Sequence, residues 1–317
     1  MAYRSRRAQH RHQRQRRFLF TTSAASGLIG GTLGLYWLMR YLQPRHSPMI
    51  LNDAVIVITG ASSGLGRAYA EALAKQGARL VLVARRLEKL NAVRQSIAPY
   101  AGEVLVIMAD VTTSDGRAAV INGTLAHFGQ LDALINNAGV YLGGPLDTSD
   151  PVDIVDTVDV NLTAVIALTR LALPSMLTRG SGLIINVSSI AGRIPMPGQS
   201  VYGATKAGLI SFSSALHREL FGTGVDVVSV MPGYVNTEML TPAVIQWAHE
   251  MRLTIIEPAA AAEQTIAGLL RGQSEIYIGG SLYRLSMWGE RHLPSLMSLA
   301  WRVVYTPHLI DALRSKK

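Results

Sequence analysis

The chain has 317 residues, 49% of them apolar and 16% charged, which is ample for a buried core and excludes disordered and fibrous classes. It contains no cysteine, so a disulfide framework, a thiolate metal site and a cysteine nucleophile are all ruled out. The formal net charge of +9 would suit nucleic acid, but residues 1–52 hold nine arginines and no acid, and the 21 bases that follow are matched by 21 acids. The excess belongs to an N-terminal appendage, and nucleic acid drops out as a partner.

That appendage has two parts. Residues 1–17 form a basic flank with seven Arg and two His, and residues 18–39 run for 22 positions without a charge. A helix of that length spans roughly 33 Å, enough for a hydrocarbon core of about 30 Å. A single-pass N-terminal membrane helix is expected, and Gly27/Gly31 with Gly30/Gly34 would allow close approach of a second helix. Two alternatives stay open. A twin-arginine export signal fits Arg16-Arg17, but Phe20 stands where a polar residue belongs and no small-x-small cleavage site follows. A mitochondrial presequence fits the arginines but not the uninterrupted apolar run.

From Ala54 onward, short β-branched runs alternate with helix-length stretches. Strands are predicted at 54–59, 79–84, 103–109, 131–136, 182–188, 225–231 and 275–278. Helices are predicted at 64–76, 87–98, 113–128, 151–177, 201–221 and 258–270. Apolar strands without alternation belong to a parallel sheet covered on both faces, and strict β-α alternation makes it doubly wound. The fold class is therefore α/β and Rossmann-like, with about seven strands. Pro44 and Pro48 mark the boundary before a catalytic domain at 50–280. An amphipathic helical extension occupies 281–317.

Directly after the first strand comes Thr59-Gly60-Ala61-Ser62-Ser63-Gly64-Leu65-Gly66. Glycines at this turn let a pyrophosphate approach the N-terminus of the following helix, whose free N–H groups and dipole attract it. Gly60, Ser62, Ser63, Gly64, Leu65 and Gly66 are the expected cofactor contacts here. The second strand ends Val83-Ala84-Arg85-Arg86, with no acid until Glu88 to bond a 2′-hydroxyl. A guanidinium at Arg85 can hold a 2′-phosphate, so NADP(H) is favoured over NAD(H).

Tyr202-Gly203-Ala204-Thr205-Lys206 has a Y-x-x-x-K pattern, and it stands in order with the glycine loop, Asp110-Val111, Asn136-Asn137-Ala138-Gly139, Asn161, Ser188-Ser189 and Pro232 to Thr237. Over roughly residues 50–280 the chain resembles the short-chain dehydrogenase/reductase superfamily, including membrane-anchored members such as 11β-hydroxysteroid dehydrogenases. The resemblance implies catalysis by Ser189, Tyr202 and Lys206 with Asn161 as fourth member, Ser189 being chosen over Ser188 by its spacing from the tyrosine. It also implies cofactor contacts from Asp110, Val111, Asn137, Gly139, Tyr202, Lys206, Val235 and Thr237. Tyr and Lys four apart share a helix face, so the ammonium of Lys206, together with the positive charge of oxidised nicotinamide, is expected to lower the phenol's pKa from about 10.

The acidic series Asp147, Asp150, Asp153, Asp156 and Asp159 reads as helix surface with Asp150 as N-cap, and no metal is expected. The resemblance implies that the segment 238–257 closes over the substrate, and its Met, Leu, Ile and Val then suggest a hydrophobic, lipid-like carbonyl or alcohol. The resemblance leaves open a 3-oxoacyl-(acyl carrier protein) reductase and a non-catalytic NADP(H)-binding scaffold. Partners are a small hydrophobic substrate, the membrane and further copies of the chain. The tail reads either as a bilayer contact or as packed on the domain or on a second subunit. Seven Arg before the apolar segment against two soon after it predict the N-terminus on the cytoplasmic side. This sets the domain apart from the cytosolic NADPH supply, so the side that holds it is open.

Overall fold

A computed structural model describes residues 50–304, apart from Thr241 and Met251. The basic flank 1–17, the membrane helix expected at 18–39 and the end of the tail at 305–317 lie outside the described residues. The first half of the body runs β1 (Val55–Thr59), α1 (Gly64–Ala74), β2 (Arg79–Ala84), α2 (Leu87–Ile97), β3 (Glu103–Met108), α3 (Ser114–Phe128) and β4 (Ala133–Asn136). There follow α4 (Pro151–Val158), α5 (Ala164–Arg179), β5 (Gly182–Val187), α6 (Ser200–Glu219), β6 (Val225–Pro232), β7 (Tyr234–Val235) and α7 (Pro242–Glu250). The last elements are β8 (Ile255–Ile256), α8 (Pro258–Leu270), β9 (Glu275–Ile278), α9 (Ser281–His292) and α10 (Pro294–Val304).

The principal sheet has 7 strands in the order β3-β2-β1-β4-β5-β6-β9, all parallel. Side chains alternate across it. Ile56, Ile58, Leu80 and Leu82 pack toward α1, α2 and α8, while Val55, Val57, Val81 and Val83 pack toward α3, α5 and α6. Each such fully buried side chain contributes about 1.5–3 kcal/mol relative to exposure. This two-sided burial produces the unbroken apolar runs seen in the sequence. The edge strand β3 departs from it, with Glu103 and Met108 exposed.

β1 and β4 are neighbours, yet the chain travels outward through β2 and β3 before returning to β4. Such a reversal opens a crevice at the carboxyl ends of the strands, where ligands bind in open α/β sheets.

The helix predicted over 151–177 is interrupted by a five-residue π turn, Asp159–Thr163, which carries Asn161. The stretch 151–179 is, among the described residues, the one helical run long and apolar enough to cross a membrane. Leu168, Ala172 and Met176 of this run are packed in the core beneath the sheet, which accounts for much of its apolar content. Asp150 caps it as expected, accepting from Val152 N at 2.9 Å.

The sheet also encloses a polar chain. Asn136 Nδ2 donates to Asn186 Oδ1 at 2.8 Å and to Thr169 Oγ1 at 3.1 Å, and Asn186 Nδ2 donates to Ser213 Oγ at 2.8 Å. All four residues are buried, and the bonds tie β4 and β5 to both helices beneath them.

Candidate active site

A cavity of about 560 Å³ opens at the carboxyl ends of the strands. The end beside the glycine loop is shaped by backbone. Thr59, the last residue of β1, accepts hydrogen bonds at Oγ1 from Asn137 N and Ala138 N, both at 3.0 Å, and its carbonyl accepts from Asn137 Nδ2 at 2.9 Å. The glycine loop is thereby tied to the loop after β4. Gly60 has φ +68°, and a Cβ there would sit 2.9 Å from the Ala138 Cα. Ser63 precedes α1 in extended conformation without capping it through its side chain, which leaves the helix's first N–H groups available at the cavity. A glycine cradle beside an uncapped helix N-terminus fits a dinucleotide pyrophosphate.

The cavity wall includes Gly60, Ser62, Ser63, Gly64, Leu65, Arg85, Asp110, Val111, Asn137, Gly139, Ser189, Tyr202, Lys206, Val235 and Thr237. Two expected site residues stand elsewhere. Gly66 is behind the wall, where a Cβ would fall 2.2 Å from the Gly60 carbonyl oxygen, so its smallness serves helix-to-loop packing. Asn161 is fully buried and clamps the loop after β4, accepting from Val140 N and donating to Val140 O at 2.9 Å each.

At the end of β2, Arg85 is largely exposed and pairs with Asp110 at 3.9 Å. Burial would raise the Asp110 pKa, but bonds from the Thr112 N–H and hydroxyl, with Arg85 nearby, hold it below the usual carboxylate value. Arg86, absent from the expected contacts, is the arginine that reaches the glycine loop. Its Nη2 lies 3.4 Å from Ser62 Oγ and 3.3 Å from Ser63 Oγ, and Glu238 approaches both Arg86, at 4.0 Å, and Lys89, at 3.3 Å.

Deeper in, Ser188 and Ser189 follow β5 directly and have different partners. Ser188 Oγ donates to the Lys206 carbonyl at 2.8 Å, a tie between strand and helix. Ser189 accepts from Ala191 N at 3.1 Å and hydrogen-bonds the Tyr202 phenol. Tyr202 and Lys206 project from one face of α6, with Lys206 Nζ 5.7 Å from the phenol ring centre and donating to Val187 O at 3.0 Å.

The Lys206 ammonium alone does not lower the Tyr202 pKa in this arrangement. Burial pushes the phenol up, and the Ser189 hydroxyl pulls only part of the way back. Burial also takes Lys206 down to about 8. Removing both groups from water disfavours each charged form, and that outweighs their mutual attraction. Lys206 is still protonated at neutral pH.

The other end of the cavity is apolar and aromatic. Tyr141, two residues past the Asn-Asn-Ala-Gly turn, meets Tyr202 edge-on at 5.2 Å, and burial, with Tyr202 nearby, pushes its phenol up to about 12. Met196, Tyr234, Leu240 and Val244 complete this wall, Tyr234 Oη lying 3.6 Å from Met196 Sδ. Position in the loop after β4 is the one sequence signal that could have singled out Tyr141. Arg86 had its adjacency to Arg85.

A family model described as short chain dehydrogenase matches residues 54–246. Ketoacyl reductase HetN from Nostoc sp. is 39% identical over 191 residues, covering 60% of this chain and 67% of that protein. Dehydrogenase/reductase SDR family member 7B from Bos taurus is 31% identical over 291 residues, 87% of this chain and 89% of that one. Among solved structures, a metagenomic short-chain oxidoreductase in complex with NADP matches at 37% identity and a TM-score of 0.62, covering 73% of this chain and 98% of that one. A short chain dehydrogenase/reductase from Burkholderia phymatum in complex with NAD matches at 26% identity and a TM-score of 0.72, covering 78% and 96%.

Proposed function

Because the chain belongs to the short chain dehydrogenase family, we propose that it transfers a hydride between NADP(H) and a carbonyl or secondary alcohol of a hydrophobic, lipid-like substrate. The observation that supports this most directly is the convergence of Ser189, Tyr202 and Lys206 on one cavity between a glycine cradle and an apolar wall. The cofactor, when bound, supplies or accepts the hydride. Gly60, Ser62, Ser63, Gly64 and Leu65 hold its pyrophosphate, and Asp110, Val111, Asn137, Gly139, Val235 and Thr237 flank it. The absence of an acid at the end of β2, together with Arg86 beside Ser62 and Ser63, favours the 2′-phosphate form.

Tyr202 gives the proton on Oη to the substrate oxygen in reduction and takes it back in oxidation. A phenol whose pKa burial has raised carries its proton at neutral pH, as a donor in reduction must, but is a weaker acid for it. Ser189 hydrogen-bonds the substrate oxygen and stabilises charge developing there. Lys206 holds the ribose beside the nicotinamide and places an ammonium near the phenol. Asn161 acts as a positioning residue, fixing Val140 on the cavity wall.

In this reading residues 50–280 are the catalytic body, 18–39 anchor it in a membrane behind the flank at 1–17, and copies of the chain associate. Protease accessibility of the body in sealed vesicles assigns the side. The activity is tested by following NADPH and NADH consumption across a panel of ketones with the wild type and Tyr202→Phe. Turnover with NADPH that is lost in the variant supports the mechanism, and turnover unchanged in the variant overturns it. Nucleotide binding without turnover on any substrate would assign a scaffold. The name of HetN supports a second reading, reduction of 3-oxoacyl thioesters, which the same panel includes.

A further inference from the structure

The two last described helices have faces of opposite character. On its inner side α9 turns Tyr283 and Met287 into the cluster that holds Ile190, Tyr234 and Val244, the apolar wall of the cavity. Tyr283 is 6% exposed, and its hydroxyl donates to the Thr254 carbonyl at 3.0 Å. α10 packs on α9 where Met297 meets Gly289, and Trp301 Nε1 donates to Glu290 Oε1 at 2.9 Å. On the outer side Leu282, Leu285 and Trp288 recur at helical spacing along α9, and Leu293, Leu296 and Leu299 continue the pattern. These six are 44–63% exposed.

Arg284, Arg291 and Arg302 are exposed on the same two helices, against a single acid, Glu290, already engaged by Trp301. We propose that this face docks on a lipid bilayer, with the leucines and Trp288 below the headgroups and the arginines among anionic phosphates. An apolar stripe beside unanswered arginines is the pattern of a helix lying in the membrane interface. A second copy fits it less well, because a two-fold contact sets the same cationic patch on both partners with no acid free to pair it. The chain also offers a bilayer within reach, since only ten residues separate the apolar run ending at Met39 from Ile50. Fully extended, that tether reaches at most about 36 Å. Docking here would set the membrane against the helix whose inner side backs the cavity wall, so that a substrate could enter from lipid.

The absence of native cysteine makes the test clean. Full-length chain carrying Leu285→Cys, labelled with a polarity-sensitive fluorophore, is reconstituted into phosphatidylcholine vesicles with and without phosphatidylserine. A label at Gln95→Cys, on the exposed side of α2, serves as reference. The expected result is a blue-shifted label at 285 that is quenched by spin-labelled lipid and is several-fold less sensitive to aqueous iodide than the reference, more so with phosphatidylserine. Quenching by iodide equal to the reference overturns docking. Shielding from both quenchers means that protein covers the face, which also overturns it. An identical signal with and without phosphatidylserine overturns the role of the arginines. None of these readouts requires turnover, so failure here is separable from failure of the catalytic reading.

Discussion

The two ends of the cavity are built in different ways. The nucleotide end is cast in backbone, where Thr59 ties the glycine loop to residues 137 and 138 and a Cβ at Gly60 would collide with the Ala138 Cα. The substrate end is assembled from side chains of separate segments, with Tyr141 after β4, Met196 after β5, Tyr234 in β7, and Leu240 and Val244 beyond it. A backbone site tolerates few changes and binds a constant group. A side-chain site can be refitted to another ligand without disturbing the fold.

The largest test of this division falls at the junction. Lys206→Met should lower kcat by about 10²- to 10⁴-fold while leaving the fold intact. Its effect on stability has the opposite sign. Lys206 is held near 8 in the fold against 10.5 in an unfolded chain, so below pH 8 the native state bears a buried charge. That penalty is at most about 3 kcal/mol and fades as pH rises from 8 to 10.5. The variant should therefore melt higher than the wild type at pH 7, with the gap closing toward pH 10 in thermal scans. A gap that widens with pH would refute the buried-charge account.

Gly66→Ala challenges the cast end. Its methyl would fall 2.2 Å from the Gly60 carbonyl oxygen and 2.5 Å from Asn137 Nδ2. A loss of about 1–3 kcal/mol of stability and weaker nucleotide binding are expected in denaturation and calorimetric titration. Unchanged binding would mean that the loop is less rigid than its hydrogen bonds suggest.

Arg86→Ala sharpens the same end. Losing a charge-assisted contact of about 1.5–3 kcal/mol should raise KM for NADPH about 10- to 100-fold and leave KM for NADH nearly constant. Equal changes for both cofactors would place Arg86 away from the 2′-phosphate. Tyr141→Leu is the mildest. It should change substrate KM by roughly fivefold, in line with about 1 kcal/mol for an aromatic contact, with nucleotide affinity unaltered. A shift in nucleotide affinity would show that the two ends are not independent.

The same division explains what could be read before the fold was known. The sheet was legible because two-sided burial leaves runs such as Val55–Thr59 and Arg79–Ala84, and the glycine loop because backbone geometry restricts residue type at Gly60. Tyr141 and Met196 were not, because contact among side chains distant in sequence leaves no periodic trace. Nor was the raised pKa of Tyr202, since spacing shows an ammonium near a phenol but not how far both are removed from water. Gly66 was expected at the cofactor by its motif, and in the fold it lies one layer behind the cavity lining.

The buried run Asn136, Asn186 and Ser213, with Thr169 alongside, behaves like the teeth of a gear. Apolar packing alone would let α6 slip along the sheet at little expense, because one methyl group is much like the next. A buried asparagine is bonded to particular partners at fixed positions, and slippage strands it. The separation between Ser189, just past β5, and Tyr202 on the helix is thus set by residues that do not line the cavity. Replacing Asn186 with leucine could leave the chain folded and its reaction poorly timed, a lesion invisible to anyone inspecting only the cavity.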